Sequence, residues 1–373
     1  MFKKISLGIA LLVLGVIVGL CFLFLLGQSP IRRPQIVGFM PYWLLDKADR
    51  NYRPFFTTLT YFGLAVDVDG KPIYLVNPQE EEPGWTALKN GRFDAQHLNA
   101  SLLVHSADED KIAILIQKPE EAAHALITEV APIMKKYGFS DLNLDIESFL
   151  PASDSARANY TLFARTVAEE VRKSQLGSVT IEIPPIALVR KFLIDPVAIG
   201  QIADYVVMMT YDYHYSGSLL AGPVAPIGGV PSVREFDVET AIIEAVKVIP
   251  KEKLLLGIPL YGYQWETLAA AQGAATIPGG ASIASTRRIA ELLSTCATCS
   301  AQIDSVSKEP FIVVSQGEYF HQIFYENEQS LQEKISLAQK YGLGGVALWA
   351  LGYEDDRILT PLKSYKQSFE FRR

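Results

Sequence analysis

The chain has 373 residues, with 34 Lys and Arg against 41 Asp and Glu, a formal net charge of −7 and a hydrophobic fraction of 49%. That length allows one large domain or two ordinary ones, and so apolar a composition excludes a mostly disordered chain. The acidic balance argues against a coat for DNA or RNA, which needs excess positive charge to displace counterions from phosphates.

Mean hydropathy is slightly positive, +0.16, and the N-terminus accounts for much of it. Lys3-Lys4 precedes an apolar run from Ile5 to Gly27, broken only by Ser6. A run of that length, at about 1.5 Å per residue, spans a hydrocarbon core. Its length and its bulky end, Phe22 to Leu26, favour an uncleaved signal anchor over a cleaved signal peptide. The expectation is a transmembrane segment over 1–33 and a single-pass cell-membrane protein, with residues 34–373 outside the cytoplasm. Secretion after cleavage is the alternative. Residues 1–33 contain Lys3, Lys4, Arg32 and Arg33 and no acid, so the remainder carries 30 basic against 41 acidic residues.

From Pro34 onward, short apolar runs alternate with helical patterns. The predicted strands are Ile36–Met40, Thr58–Val66, Ile112–Ile116, Leu142–Ile146, Val179–Ile183, Tyr205–Thr210, Leu254–Pro259 and Gly344–Leu348. Most are near-continuous apolar runs, as in parallel strands covered on both faces. Amphipathic helices are predicted at Ala156–Ser174, Val238–Val248 and Ser330–Tyr341, the last stopped by Gly342. The segment Asp67–Asp110 reads as a hairpin around Asp69-Gly70 followed by a helix near Asp94–His105. The segment 266–328 reads as a small α+β insertion after strand seven, with a helix near Arg287–Leu293 and strands Phe311–Ser315 and Tyr319–Tyr325. Ala269–Ala284, rich in Gly and Ala, reads as a mobile loop. The fold class is α/β: a (β/α)₈ TIM barrel carrying that insertion, preceded by one N-terminal transmembrane helix. A doubly wound open sheet is the rival. It is disfavoured because Pro41-Tyr42-Trp43, not a glycine-rich loop, follows the first strand.

The most informative segment is Asp141-Leu-Asn-Leu-Asp-Ile-Glu147. Alternation puts Asn143, Asp145 and Glu147 on one face and Leu142, Leu144 and Ile146 on the other. In a barrel strand the apolar face meets the helices and the polar face points inward. Burying carboxylates is costly unless they are paired and hydrogen-bonded, so stability alone would place Val or Ile there. Two adjacent carboxylates in such a site do not ionise together easily, and one is held protonated, as a general acid must be. An exposed edge strand with a solvated acidic face is the competing reading. On the residues alone the chain reads as an acid–base enzyme with its site at a barrel mouth.

This segment resembles the fourth-strand signature of glycoside hydrolase family 18, Asp-Gly-x-Asp-x-Asp-x-Glu. Gly38–Trp43, Met209–Tyr213, Gly257–Gly262 and Gly344–Trp349 resemble the family's first, sixth, seventh and eighth strands in order, so the match runs from Gln35 to about Leu359. The first Asp of the signature is Ser140 here, its Gly is Asp141 and its second Asp is Asn143. Asp145 and Glu147 are kept. Asn143, Tyr261–Trp265 and Trp349–Gly352 are similar to the bacterial branch that includes spore-cortex and cell-wall N-acetylglucosaminidases.

The resemblance implies a glycosidase that cleaves β-linked N-acetylglucosamine glycans, peptidoglycan or chitin-like, with retention and with the sugar's acetamido group as nucleophile. It implies Glu147 as acid and base, Asp145 as the group orienting the acetamido nitrogen, and Tyr211 as donor to the acetamido carbonyl. Trp349 would floor that subsite, with Met209, Asp212, Asn143, Tyr42 and Trp265 as further substrate contacts. Trp349 and Met209 have core packing as their bland alternative. His214 is either a substrate contact or a surface-loop residue. A non-catalytic sugar-binding scaffold on the same barrel is the alternative function. No metal and no cofactor is expected, and the domain is expected to be monomeric, with a glycan as partner and no nucleic acid. Cys296-Ala-Thr-Cys299 reads as a local disulfide, because a zinc site would need a second ligand pair nearby.

Overall fold

The computed structural model describes residues 33–229, 237–297 and 299–370. Eight parallel strands close into a barrel in the spatial order β1, β13, β7, β6, β5, β4, β3, β2. They are β1 (Gln35–Pro41), β2 (Thr58–Ala65), β3 (Asn99–Ser106), β4 (Asp141–Ile146), β5 (Ser178–Ile183), β6 (Tyr205–Met208), β7 (Leu254–Pro259) and β13 (Gly345–Trp349). The barrel is the expected TIM-type architecture. Its outer core is built from outward-facing strand residues such as Leu142, Leu144 and Ile146 against helix residues such as Tyr160, Phe163, Val167 and Val171. The helix that carries the latter four, Asp154–Lys173, starts where Ser153 accepts a hydrogen bond from Ala156 N–H. Glu328–Tyr341 has a reciprocal cap between Asn327 and Ser330 and ends at Gly342 with φ 65°.

Three readings differ from expectation. The third barrel strand is Asn99–Ser106, not Ile112–Ile116; it falls where a helix near Asp94–His105 was expected, and Ile112–Leu115 belong instead to the helix Glu109–Leu115. Asp108 decides the helix: its carboxylate accepts from the N–H groups of Asp110 and Lys111. β3 escapes a search for apolar runs because Ser101 and His105 of its inward face are polar. The Gly/Ala-rich stretch is not a loop throughout, since Thr276–Ser285 is a strand.

Between β7 and β13 the chain forms an antiparallel sheet of β8 (Tyr261–Thr267), β9 (Thr276–Ser285), β10 (Gln302–Ile303), β11 (Pro310–Gln316) and β12 (Tyr319–Phe324), in the order β9, β8, β12, β11, β10. It starts ahead of Glu266, because β8 follows β7 almost directly. Cys296 and Cys299 are joined by a disulfide after the helix Thr286–Thr295.

The expected membrane localisation is corrected. Among the described residues no helix is long and apolar enough to cross a membrane. The run Ile5–Gly27 on which that expectation rested lies outside the described residues.

Candidate active site

The inward residues of β4 form a ladder. At the N-terminal end, Asp141 is buried and accepts hydrogen bonds from Ser101 Oγ (2.6 Å), Ser178 Oγ (2.5 Å) and Thr180 Oγ1 (3.1 Å). Burial pushes its carboxyl up, against the three hydroxyls that lower it. It lines a polar cavity of about 210 Å³ together with Thr60, Asn99 and Asn143. That cavity lies at the end of the barrel opposite the carboxylate pair. An inner layer of Val37, Phe39, Phe62, Leu103, Val207, Leu255 and Ala347 fills the barrel.

Toward the C-terminal mouth the ladder continues with Asn143, Asp145 and Glu147. Asn143 and Asp145 are 1% and 5% exposed, and Glu147 is half-buried with its N–H donating to Ser106 O at 2.8 Å. Burial raises the Asp145 carboxyl well above the usual carboxylate range, and the neighbouring Glu147 raises it further. Glu147 is raised by burial and then by Asp212. The pair therefore holds a proton at a pH where free carboxylates have lost theirs.

One member of the cluster went unmarked in the sequence. Glu182 of β5 is 3% exposed, and Asn143 Nδ2 donates to its Oε1 at 2.8 Å. Burial, then Asp145, push its carboxyl well up, while the bond from Asn143 lowers it. Its signal was the polar alternation Ser178, Thr180, Glu182, which runs beside Asp141, Asn143, Asp145. His105 of β3, opposite Asp145 in the strand register, was likewise unmarked. It stacks on Phe62 at 4.4 Å, and burial pushes its imidazole down to about 4, so it is neutral near pH 7.

After β6 the chain coils tightly, with Thr210 N–H donating to Met208 O and Tyr211 N–H to Met209 O. This brings Tyr211 and Asp212 to the mouth beside half-buried Met209. The Tyr211 hydroxyl is held well above its ordinary value by burial and by Glu182, Glu147, Asp145 and Asp212, so it stays a donor. A Cβ on Gly257 of β7 would sit 2.5 Å from Met208 O and 3.2 Å from Tyr211 Cε1. Only glycine leaves room there for the ring. Asp212 adopts φ 58°, the left-handed region. Its Oδ1 accepts from Tyr261 Oη (2.5 Å) and Tyr263 Oη (3.3 Å). Asp212 is exposed to the cleft, yet the protein packed around its carboxyl raises it against those two hydroxyls.

Trp349, the last residue of β13, is half-buried. Its ring meets Phe62 at 5.0 Å, Phe39 at 5.7 Å and Trp43 at 6.3 Å. Tyr42 is half-buried and packs edge-on to Trp43 at 4.9 Å. The structure thus gathers Asn143, Asp145, Glu147, Met209, Tyr211, Asp212, Trp349 and Tyr42 around the C-terminal mouth, where barrel enzymes place their chemistry. Trp265 is the exception. It is fully buried among Tyr261, Tyr263, Phe311 and Phe324, and its Nε1–H donates to Tyr215 O at 3.1 Å. It has no face free for a sugar, because it is the core of the added sheet. Trp43 is instead 47% exposed. His214 is also buried, held to Pro223 O at 2.8 Å.

The family model for glycosyl hydrolases family 18 matches residues 97–354. The chain belongs to this family. It is 28% identical over 322 residues to the cortical fragment-lytic enzyme of Bacillus subtilis (strain 168), covering 83% of this chain and 67% of that protein. It is 26% identical over 268 residues to the uncharacterized glycosylase YvbX of the same organism, covering 70% and 71% of the two chains. The solved structure of the Bacillus cereus spore cortex-lytic enzyme SleL matches with a TM-score of 0.70 at 21% identity, over 90% of this chain and 75% of that one. A class V chitinase from Nicotiana tobaccum in complex with NAG4 matches with a TM-score of 0.75 at 17% identity, over 91% and 100%. Those two structures share the fold. The resemblance to the bacterial spore-cortex branch holds, and this family 18 member is a glycosidase. Among the described residues, no group of three or more His, Cys, Asp or Glu is arranged to hold a metal ion.

Proposed function

We propose that this glycosidase hydrolyses β-linked N-acetylglucosamine-containing glycans, peptidoglycan or chitin-like, with retention of configuration and with the substrate's own acetamido group as nucleophile. The observation that carries the reading is the Asp145–Glu147 pair. Both carboxyls are raised by burial at the barrel mouth, with Tyr211 within reach of their charge and Trp349 at the end of the last barrel strand. Glu147 gives its proton to the glycosidic oxygen as the C1–O bond breaks, and the acetamido oxygen bonds to C1. Asp145 accepts from the acetamido N–H and faces the positive charge of the oxazolinium ring. Tyr211 donates to the acetamido oxygen and orients it. Glu147, now a carboxylate, takes a proton from water as the water oxygen attacks C1 and the ring opens. Two inversions at C1 give net retention. Trp349 supplies an apolar floor, and Tyr42, Met209, Asn143 and Asp212 shape the surrounding subsite.

Purified protein would be assayed on N-acetylglucosamine oligomers, on peptidoglycan, and on oligomers lacking the N-acetyl group at the cleaved sugar. Cleavage of the acetylated substrates only, and a loss of about 10²- to 10⁴-fold in Glu147→Gln, are expected. No cleavage by the wild type, full activity in Glu147→Gln, or equal cleavage without the acetyl group would overturn the reading.

A further inference from the structure

The acid cluster contains one carboxyl more than the proposed chemistry uses. Glu182 has a polar partner on one side only. Its neighbour across the β5–β6 ladder is Val207, fully buried and apolar, so its chemistry is decided by β4. There the register pairs Asp141 with Ser178, Asn143 with Thr180 and Leu144 with Ile181. One step further along both strands stand Asp145 and Glu182, on adjacent strands spaced about 4.8 Å apart, with both side chains pointing inward.

The hydrogen-bond inventory is incomplete in a specific way. Glu182 Oε1 is satisfied by Asn143 Nδ2. Glu182 Oε2 and Asp145 Oδ1 are both buried without a hydrogen-bond partner among the described residues, as are Asn143 Oδ1 and the Tyr160 hydroxyl of the same cluster. Two inward carboxylates on adjacent strands cannot satisfy each other while both are ionised, since both are acceptors and both carry charge. A single proton on Glu182 satisfies both at once: the acid accepts from Asn143 through one oxygen and donates to Asp145 through the other. Asn143 cannot take this role, because an amide holds no titratable proton.

We propose that Glu182 is a positioning residue of this active site, a permanently protonated acid that bridges Asn143 and Asp145 and fixes the Asp145 carboxylate for the acetamido group. The inference rests on the role given to Asp145 above. The other groups whose charge reaches Glu182 or its partners are Asp141 of β4, Glu147 just past its end, Tyr211 beyond β6 and Tyr160 of the helix Asp154–Lys173. His105 of β3, opposite Asp145, is neutral.

Three measurements test it. In ligand-free protein, infrared difference spectra should show one protonated-carboxyl C=O band that disappears in Glu182→Gln. In turnover on N-acetylglucosamine oligomers, Glu182→Leu should lower kcat by about 10- to 100-fold with a smaller change in KM. Glu182→Gln, whose amide both accepts and donates, should restore most of that loss. The basic limb of the Glu182→Gln pH profile should coincide with wild type, because a neutral acid has been replaced by a neutral amide. If Glu182 were ionised, removing its charge would make Glu147 more acidic and move the limb to lower pH. That shift, or no band lost in Glu182→Gln, or a Glu182→Leu enzyme with wild-type kcat, would overturn the proposal. Should Glu182→Leu not fold, the band and the Gln pH profile decide. The infrared arm needs no turnover, so a failure of the glycan reading is told apart from a failure of this one.

Discussion

Replacing Gly257 by alanine tests whether backbone room on β7 sets the position of Tyr211. The added Cβ would lie 2.5 Å from the Met208 carbonyl oxygen, 0.9 Å inside the 3.4 Å at which ordinary van der Waals contact begins, and 3.2 Å from Tyr211 Cε1. Neither neighbour yields easily. Met208 O is backbone of a barrel strand, and the Tyr211 ring is packed against buried residues of the core and the added sheet. Overpacking of this kind costs about 1–3 kcal/mol, which thermal melting reads as a drop of a few degrees. An effect on catalysis is also expected. The 3.2 Å contact makes the Tyr211 ring give by a few tenths of an ångström, short of the displacement near 1 Å that costs about 100-fold, so a loss of up to about 10-fold is expected, with kcat falling more than KM rises. A double-mutant cycle isolates the route. In a Tyr211→Ala background the ring is gone, so Gly257→Ala should cost stability through Met208 O but little further kcat. Wild-type melting and kcat in Gly257→Ala would refute the steric argument. Fully additive kcat losses in the double mutant would refute its transmission through Tyr211.

Further outcomes follow from charge and burial. Asp212 raises the Glu147 carboxyl, so Asp212→Asn should make Glu147 more acidic and move the basic limb of kcat/KM to lower pH. A limb that stays put or moves upward counts against Asp212 as a charge partner. Trp265→Ala should cost about 3–5 kcal/mol in denaturant unfolding, as expected for a buried indole. Trp43→Ala should cost less than about 1 kcal/mol while raising KM for longer oligomers. The reverse pattern would show that the two rings have been assigned the wrong way round.

The barrel was legible where its strands are apolar on both faces, as at Ile36–Met40 and Leu254–Pro259. It was misread at β3, because Asn99 and Ser101 are polar there and line the cavity around Asp141, while Ile112–Ile116 offers the apolar run. Short apolar runs do not by themselves tell strand from helix. The Asp108 cap was the arbiter present in the sequence. At the site, Asp145 and Glu147 stood out because alternation made their burial anomalous. Glu182 obeys the same alternation but is the single acid of its strand, and only the register of β5 against β4 shows what it faces. Trp265 failed for the opposite reason. Aromaticity is visible in a sequence, but whether a ring presents a face or fills a core depends on the sheet packed around it.

The added sheet is rooted in the barrel at its stem and tied to it again through Glu309, which accepts from the N–H groups of Val224 and Ala225. β8 leaves the barrel directly from β7, β12 returns beside it with Tyr263 opposite Phe324, and a Cβ on Gly262 would sit 1.8 Å from Phe324 O. Leu260 N–H is tied to Trp349 O at 2.6 Å, so the departing leg is also pinned to the last barrel strand. β9, β10 and β11 are therefore carried by a stem whose two legs hold each other, while Glu147, Asp145 and Glu182 belong to strands on the far side of β6 and β7. The sheet also reaches into the site, because Tyr261 and Tyr263 hold Asp212. The β11–β12 turn at Gly317 lies away from these ties, so it can be lengthened or trimmed to suit a different glycan without disturbing the barrel register that aligns the acids.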